Sequence, residues 1–282
     1  MAELALRFGF AGVAHSVTLA GAQVLELASH RCAVAPGKLS APVSVSGPLR
    51  DALAASLGLA APGSGAASPL LQLRRLTLAV STSAQLSAAG RAAQLQPSYH
   101  LIALRPLTEE VMQLACEKGD FDVISLPLEE KLPFPLRGKD VGAFLGRGGF
   151  FEIELGPALR DGGHRRALLQ NAAVLLHATR GRNVFISSGA GDPMEMRSPH
   201  DIANFAAVVG LRGPLALRSI ADVPYRVLQR AALRRGPSQV VAGPSQGHQD
   251  SGGDVEMEAP RETARGRHDT QRDRPRVRVK RG

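Results

Sequence analysis

Six short apolar runs recur along this chain, and several of them leave no polar position on either face. LTLAV, HLIAL and NVFIS are the clearest. A strand with one wet face alternates in polarity, so runs like these must be covered on both sides. A parallel sheet flanked by helices does that. The runs place candidate strands at Leu4–Phe10, Leu76–Ser81, His100–Arg105, Phe121–Leu126, Phe150–Leu155 and Asn183–Ser188.

Helix signals stand between the runs. Thr108 can cap EEVMQLACEK, with Glu109 and Glu110 in the first turn, Lys118 at the end and Gly119 as a left-handed stop. Residues 165–180 carry apolar positions at helical spacing and stop at Gly181. In SPHDIANFAAVVG, Ser198 caps, Pro199 fits the first turn, Asp201 completes a capping box and Gly210 ends the helix. Strand-then-helix repetition implies right-handed crossovers and a parallel sheet. The fold class expected is α/β, a TIM-barrel-like (β/α) barrel over residues 1–236. Residues 52–69, rich in Ala, Gly, Ser and Pro, read as a flexible linker inside it. Residues 237–282 read as a disordered tail, acidic first and then arginine-rich.

The formal charge of +9 favours a polyanionic partner. Its distribution matters more than its sum. Residues 261–282 hold nine Arg/Lys and three acids, whereas residues 237–260 hold four acids and no base, so the barrel region is basic in its own right. Aromatics make up only 4% and Trp is absent, which argues against a base-stacking platform. Cys32 and Cys116 are far apart and form no C-x-x-C, as expected of reduced thiols in an intracellular protein. No signal-peptide order and no membrane-length apolar run is present in the sequence.

Barrels of this size are often enzymes, and an enzyme would need ligands or a nucleophile at its strand ends. The eight His residues show no H-x-H or H-x-x-x-H spacing. His100 opens a strand, on the end of a barrel that serves stability, and His177 reads as packed within an apolar helix. Ser187 and Ser188 end a strand without a G-x-S-x-G elbow. Glu152 and Glu154 alternate along one strand and share a face, where Arg147 is a natural ion-pair partner. No catalytic residue and no metal or cofactor ligand is assigned. A metal-dependent hydrolase of the same barrel class, and a scaffold that binds only other subunits, remain the alternatives.

Six blocks in order carry a resemblance: RRLTLAVS; YHLIALRPLTEEVMQLAC; FDVISLPLEEKLPFPLR; GRGGFFEIELGPAL; HRR before a helix; and GRNVFISSGAGDPMEMRSPHDIANFAAVVGL. From Arg74 to about Arg235 the chain resembles the ribonuclease P/MRP thirty-kilodalton protein subunit family. The first 70 residues match poorly: the family usually opens with a strand carrying Asp, where MAELALRFG has Glu3. The resemblance implies a non-catalytic, RNA-binding barrel subunit of ribonuclease P, which removes tRNA 5′ leaders, and of ribonuclease MRP, which acts in rRNA processing. It implies that the RNA does the cutting with Mg²⁺ and that the protein binds no cofactor itself. The implied partners are the ribonuclease P and MRP RNAs, precursor tRNA, a small ferredoxin-like subunit and other subunits, with no membrane, in the nucleus and nucleolus.

Such a protein would neutralise and position crowded phosphates, a task suited to arginine. The candidate RNA contacts are Arg74 and Arg75 at a strand start and Arg105 at a strand end; Lys131, Arg137 and Lys139 in a Pro-bounded loop; Arg165 and Arg166 at a helix start; Arg180 and Arg182 at a helix end; and Arg197 after a strand. Arg147, Arg197 and Asp201 have a structural alternative, buried salt bridges.

Overall fold

The computed structural model describes residues 1–30, 32, 57, 70–95 and 97–235. All of them belong to one compact unit, Met1–Gly243. The expected linker at 52–69, apart from Leu57, and the expected tail at 237–282 lie outside the described residues.

Six strands form one sheet: β1 (Gly12–Ala20), β2 (Leu71–Val80), β3 (Leu101–Pro106), β4 (Val123–Ser125), β5 (Phe150–Glu154) and β6 (Val184–Ser187). Each pairs in parallel with the next in sequence, and the order never reverses. A parallel sheet with that order curls in one sense, giving a half-barrel with helices between its strands.

Five of the six expected strands fall on observed ones. The first does not: Ala2–Arg7 is a helix, α1, and the strand is Gly12–Ala20. The reason is local. AELALR consists of strong helix formers, and Ala2 and Ala5, one turn apart, bury against Leu70 and Met196. GVAHSVTLA carries β-branched Val13, Val17 and Thr18, with Val17 and Leu19 facing the helix-side core at period two. β2 also starts five residues earlier than expected. Arg74 and Arg75 therefore lie inside a strand and point to opposite faces.

The capping signals held with one change of cause. Asp201 and Ser198 form a capping box at the start of α9 (Pro199–Val209), and Gly210 closes it at φ 117°. Thr108 accepts from Val111 N at α5 (Glu109–Lys118), but Gly119 has φ −68° and is not left-handed. A Cβ there would stand 2.7 Å from the Phe121 ring and from the Ala115 carbonyl, so close packing is what demands glycine. α8 runs from Gly162 to Thr179 because Asp161 caps it through Gly163 N and His164 N. The remaining helices are α2 (Ala22–Leu25), α3 (Ser83–Ala89), α4 (Ala92–Leu95), α6 (Gly138–Gly146), α7 (Gly156–Arg160), α10 (Pro214–Arg218) and α11 (Asp222–Arg234).

The core has two parts. On the convex side Leu76, Leu78, Ile102, Leu104, Ile124 and Phe151 pack under the crossover helices. On the concave side Leu73, Leu101, Val123, Phe150 and Phe185 pack against Val223, Val227 and Ala231 of α11, which lies across the inner face. β2 to β6 are thus largely covered on both faces, which is why their apolar runs are continuous, whereas β1 at the sheet edge keeps exposed positions. Among the described residues no helix is long and apolar enough to cross a membrane. Cys116 is buried and Cys32 half-buried, both as free thiols.

Candidate nucleic-acid interface

Concave positions towards the strand C-termini are polar, and they interlock. Arg75 donates through both terminal nitrogens to Glu152, at 2.5 Å each, and through Nε to Thr77 Oγ1 at 3.1 Å. Glu152 is fully buried. Arg105 Nη2 donates to Glu154 at 2.9 Å, and Ser125 Oγ donates to the other Glu154 oxygen at 3.0 Å. Glu129 lies 4.0 Å from Arg105.

Burial alone would raise the Glu152 carboxyl, but the attached Arg75 guanidinium outweighs it and holds the group below the usual carboxylate range. Glu154 is pushed up, first by burial and then by its neighbour Glu152, against the pull of Arg105. A raised carboxyl in a barrel mouth can signal acid–base chemistry. Here both carboxylates already have their oxygens engaged, so the pair forms a strut between strands. The guanidinium partner is Arg75, not Arg147 as the sequence suggested. Arg147 instead donates to the carbonyls of Ala115, Cys116 and Gly119 at the end of α5. His177, expected to pack, is exposed. Among the described residues no group of three His, Cys, Asp or Glu is placed to hold a metal ion.

The expected RNA contacts divide by environment. Arg75 is 8% exposed, with its donors spent on Glu152 and Thr77, and Arg105 is half-buried against Glu154. Arg137 is exposed but paired with Glu109. Arg165 donates to the Ala158 carbonyl, and Arg197 to those of Met194 and Met196; neither forms a buried salt bridge, and Asp201 is spent on its cap. Lys131, Lys139, Arg166, Arg180 and Arg182 are exposed with no side-chain partner among the described residues. Arg74 is half-buried, next to Arg75 in β2 but on the opposite face of the sheet from the Arg–Glu strut.

Sequence reading missed a second set of arginines. Arg230 donates to the Arg147 carbonyl at 2.6 Å and to Asp120 at 3.1 Å. Arg234 clamps buried Asp122 through Nε and Nη2, at 2.9 and 2.8 Å, and reaches the His100 carbonyl. Arg235 donates to the Tyr99 carbonyl at 2.9 Å. The available signal was the spacing of Val223, Val227 and Ala231, which marks a helix with its bases on the other side.

His100 sits among these arginines, with its Nδ1 accepting from Arg74 N at 2.9 Å. Burial first, and then Arg235 and Arg74, lower its pKa from 6.5 to about 4. The unfolded chain therefore takes up a proton between those values that the folded chain refuses, so His100 removes stability as pH falls from 6.5 to 4. Urea midpoints across that window should fall less for His100→Asn than for the unaltered protein. Parallel pH profiles would exclude this effect.

The comparisons with known proteins agree with one another. The model of the family described as RNase P subunit p30 matches residues 1–236. Protein GAMETOPHYTE DEFECTIVE 1 of Arabidopsis thaliana is 32% identical over 223 residues, covering 78% of this chain and 37% of that protein. Ribonuclease P protein subunit p30 of Mus musculus is 35% identical over 147 residues, 52% of this chain and 55% of that one. Ribonuclease P/MRP protein subunit RPP1 of Saccharomyces cerevisiae is 26% identical over 159 residues, 56% and 54% of the two chains. The chain thus spans about a third to about half of each relative's length.

Proposed function

The chain belongs to the RNase P subunit p30 family, and from that membership we propose that it is a non-catalytic, RNA-binding subunit of ribonuclease P and of ribonuclease MRP. In this reading the protein binds and steadies the catalytic RNA, and Mg²⁺ serves that RNA, so no cofactor belongs to the protein. Its partners are the two RNAs, precursor tRNA held in the complex, and neighbouring protein subunits, a small ferredoxin-like one among them. Its place is the nucleus and nucleolus.

The observation that carries the reading is the fate of the charged groups. At the barrel mouth, where an enzyme of this class keeps its chemistry, the glutamates are locked by arginines. Elsewhere exposed cations stand without carboxylate partners, as a polyanion-binding surface requires. Binding of this kind reads shape and phosphate more than base identity.

Co-purification tests the proposal. The tagged full chain expressed in cells should bring down ribonuclease P and MRP RNAs, and the eluate should process precursor tRNA in Mg²⁺. Cleavage by the purified chain alone, or an eluate without either RNA, would contradict it.

A further inference from the structure

We propose that the rim formed by the strand N-termini and helix C-termini, rather than the strand-C-terminal mouth, is the surface that takes RNA phosphates. This rests on the RNA-binding reading above and gives it a location.

In a parallel sheet with crossover helices, every strand start and every crossover-helix end lies at the same pole. Lys118 ends α5, Arg180 caps α8, Arg182 precedes β6 and Arg212 follows α9. All four are exposed, with no side-chain partner among the described residues. Arg147, Arg230, Arg234 and Arg235 join them at this pole, and the Arg230–Arg147 hydrogen bond ties α11 to the β5 entrance.

The partners of these arginines decide the argument. Arg147 and Arg235 are held by backbone carbonyls, and Arg230 and Arg234 partly so. A carbonyl fixes a guanidinium in place without cancelling its charge, whereas a carboxylate does both. The mouth shows the second arrangement: Arg75 with Glu152, Arg105 with Glu154, Arg137 with Glu109 and Arg160 with Glu195. Arg165 and Arg197, on carbonyls, and Lys131, Lys139 and Arg166, exposed without a side-chain partner among the described residues, are the exceptions there.

The acids set among the eight bases of the N-terminal rim are Glu117, Asp120 and Asp122. Bases at helix ends are common because they offset the helix dipole, so that cause must be weighed. Each helix end carries roughly half a negative charge, so α3, α5, α6, α8, α9 and α11 together cancel about three units. The rim keeps a positive excess after both deductions. The pKa of His100, lowered first by burial and then by Arg235 and Arg74, agrees with that excess. Arg230 and Arg234 are also paired with Asp120 and Asp122. The cations left for phosphates are therefore the exposed Lys118, Arg180, Arg182 and Arg212 and the carbonyl-held Arg147 and Arg235, spread over one rim as the repeated phosphodiesters of an RNA strand require.

The test uses the full chain and a labelled ribonuclease P RNA transcript. Two triple variants are compared, each changing only exposed side chains: Arg180→Gln/Arg182→Gln/Arg212→Gln, and Lys131→Gln/Lys139→Gln/Arg166→Gln. Circular dichroism and thermal melting confirm that both fold. The first should raise Kd about tenfold or more, and the second less than about twofold. Equal losses, a larger loss for the mouth variant, or unchanged affinity for the rim variant would each overturn the location while leaving RNA binding intact. If the unaltered chain fails to bind the transcript, the RNA-binding reading itself falls, and the location with it.

Discussion

Replacing Glu152 by Ala should destabilise the protein by about 3–5 kcal/mol, the cost of leaving a buried guanidinium without its counter-charge. Arg75 has 10% of its side chain exposed and Glu152 none, so neither can turn to water. Restoring an apolar pair with Arg75→Met/Glu152→Met should recover most of the loss, because a well-packed hydrophobic pair replaces a buried ion pair at little net cost. Urea unfolding of the three proteins at pH 7 measures both effects. A single variant that unfolds at the parent midpoint would mean that the strut is not formed. The pair also has a pH signature. Glu152 is held below its ordinary range, so its contribution is present at neutral pH and is lost in acid as pH falls through the folded value. Glu154 is raised and acts in the opposite sense.

The second large effect is expected at Arg234→Leu. Asp122, fully buried, would keep only the Ile102 amide at 2.9 Å and lose two charge-assisted donors. The cost should be about 3 kcal/mol or more. It is concentrated where α11 closes the inner face, so its apolar contacts through Val223 and Val227 should loosen with it. Hydrogen exchange should therefore quicken in α11 before it quickens in β2 and β3. The same variant should weaken RNA binding beyond the loss of one charge, because Arg230 and Arg235 ride on that helix. Uniform exchange across the sheet, or affinity unchanged in a folded variant, would count against this coupling.

The inner strands were legible because they are covered on both sides: LTLAV, HLIAL and NVFIS admit few other readings. The first strand was not, since LALRFGF has the apolar content of a strand but the residue types of a helix, and burial of Ala2 and Ala5 decides between them. α11 escaped for a related reason. Its buried face is built from Val and Ala among arginines, and only the concave core shows what those small residues pack against. At the site, alternation correctly put Glu152 and Glu154 on one face. Their partner came from β2, far away in sequence, which no local pattern could supply. The candidate arginines were chosen by position in predicted elements, and that choice cannot separate a guanidinium facing a carboxylate from one facing a carbonyl. That difference sets which charges remain available to an anion.

The account stands on phosphate neutralisation by cations that the fold leaves unpaired. Its most direct test is a salt titration of the affinity of the full chain for ribonuclease P RNA. Each phosphate contact should contribute about −0.7 to −0.9 to the slope of log affinity against log salt. With at least three rim cations engaged, the slope should be steeper than about −2. An affinity that stays level as salt rises would contradict the account.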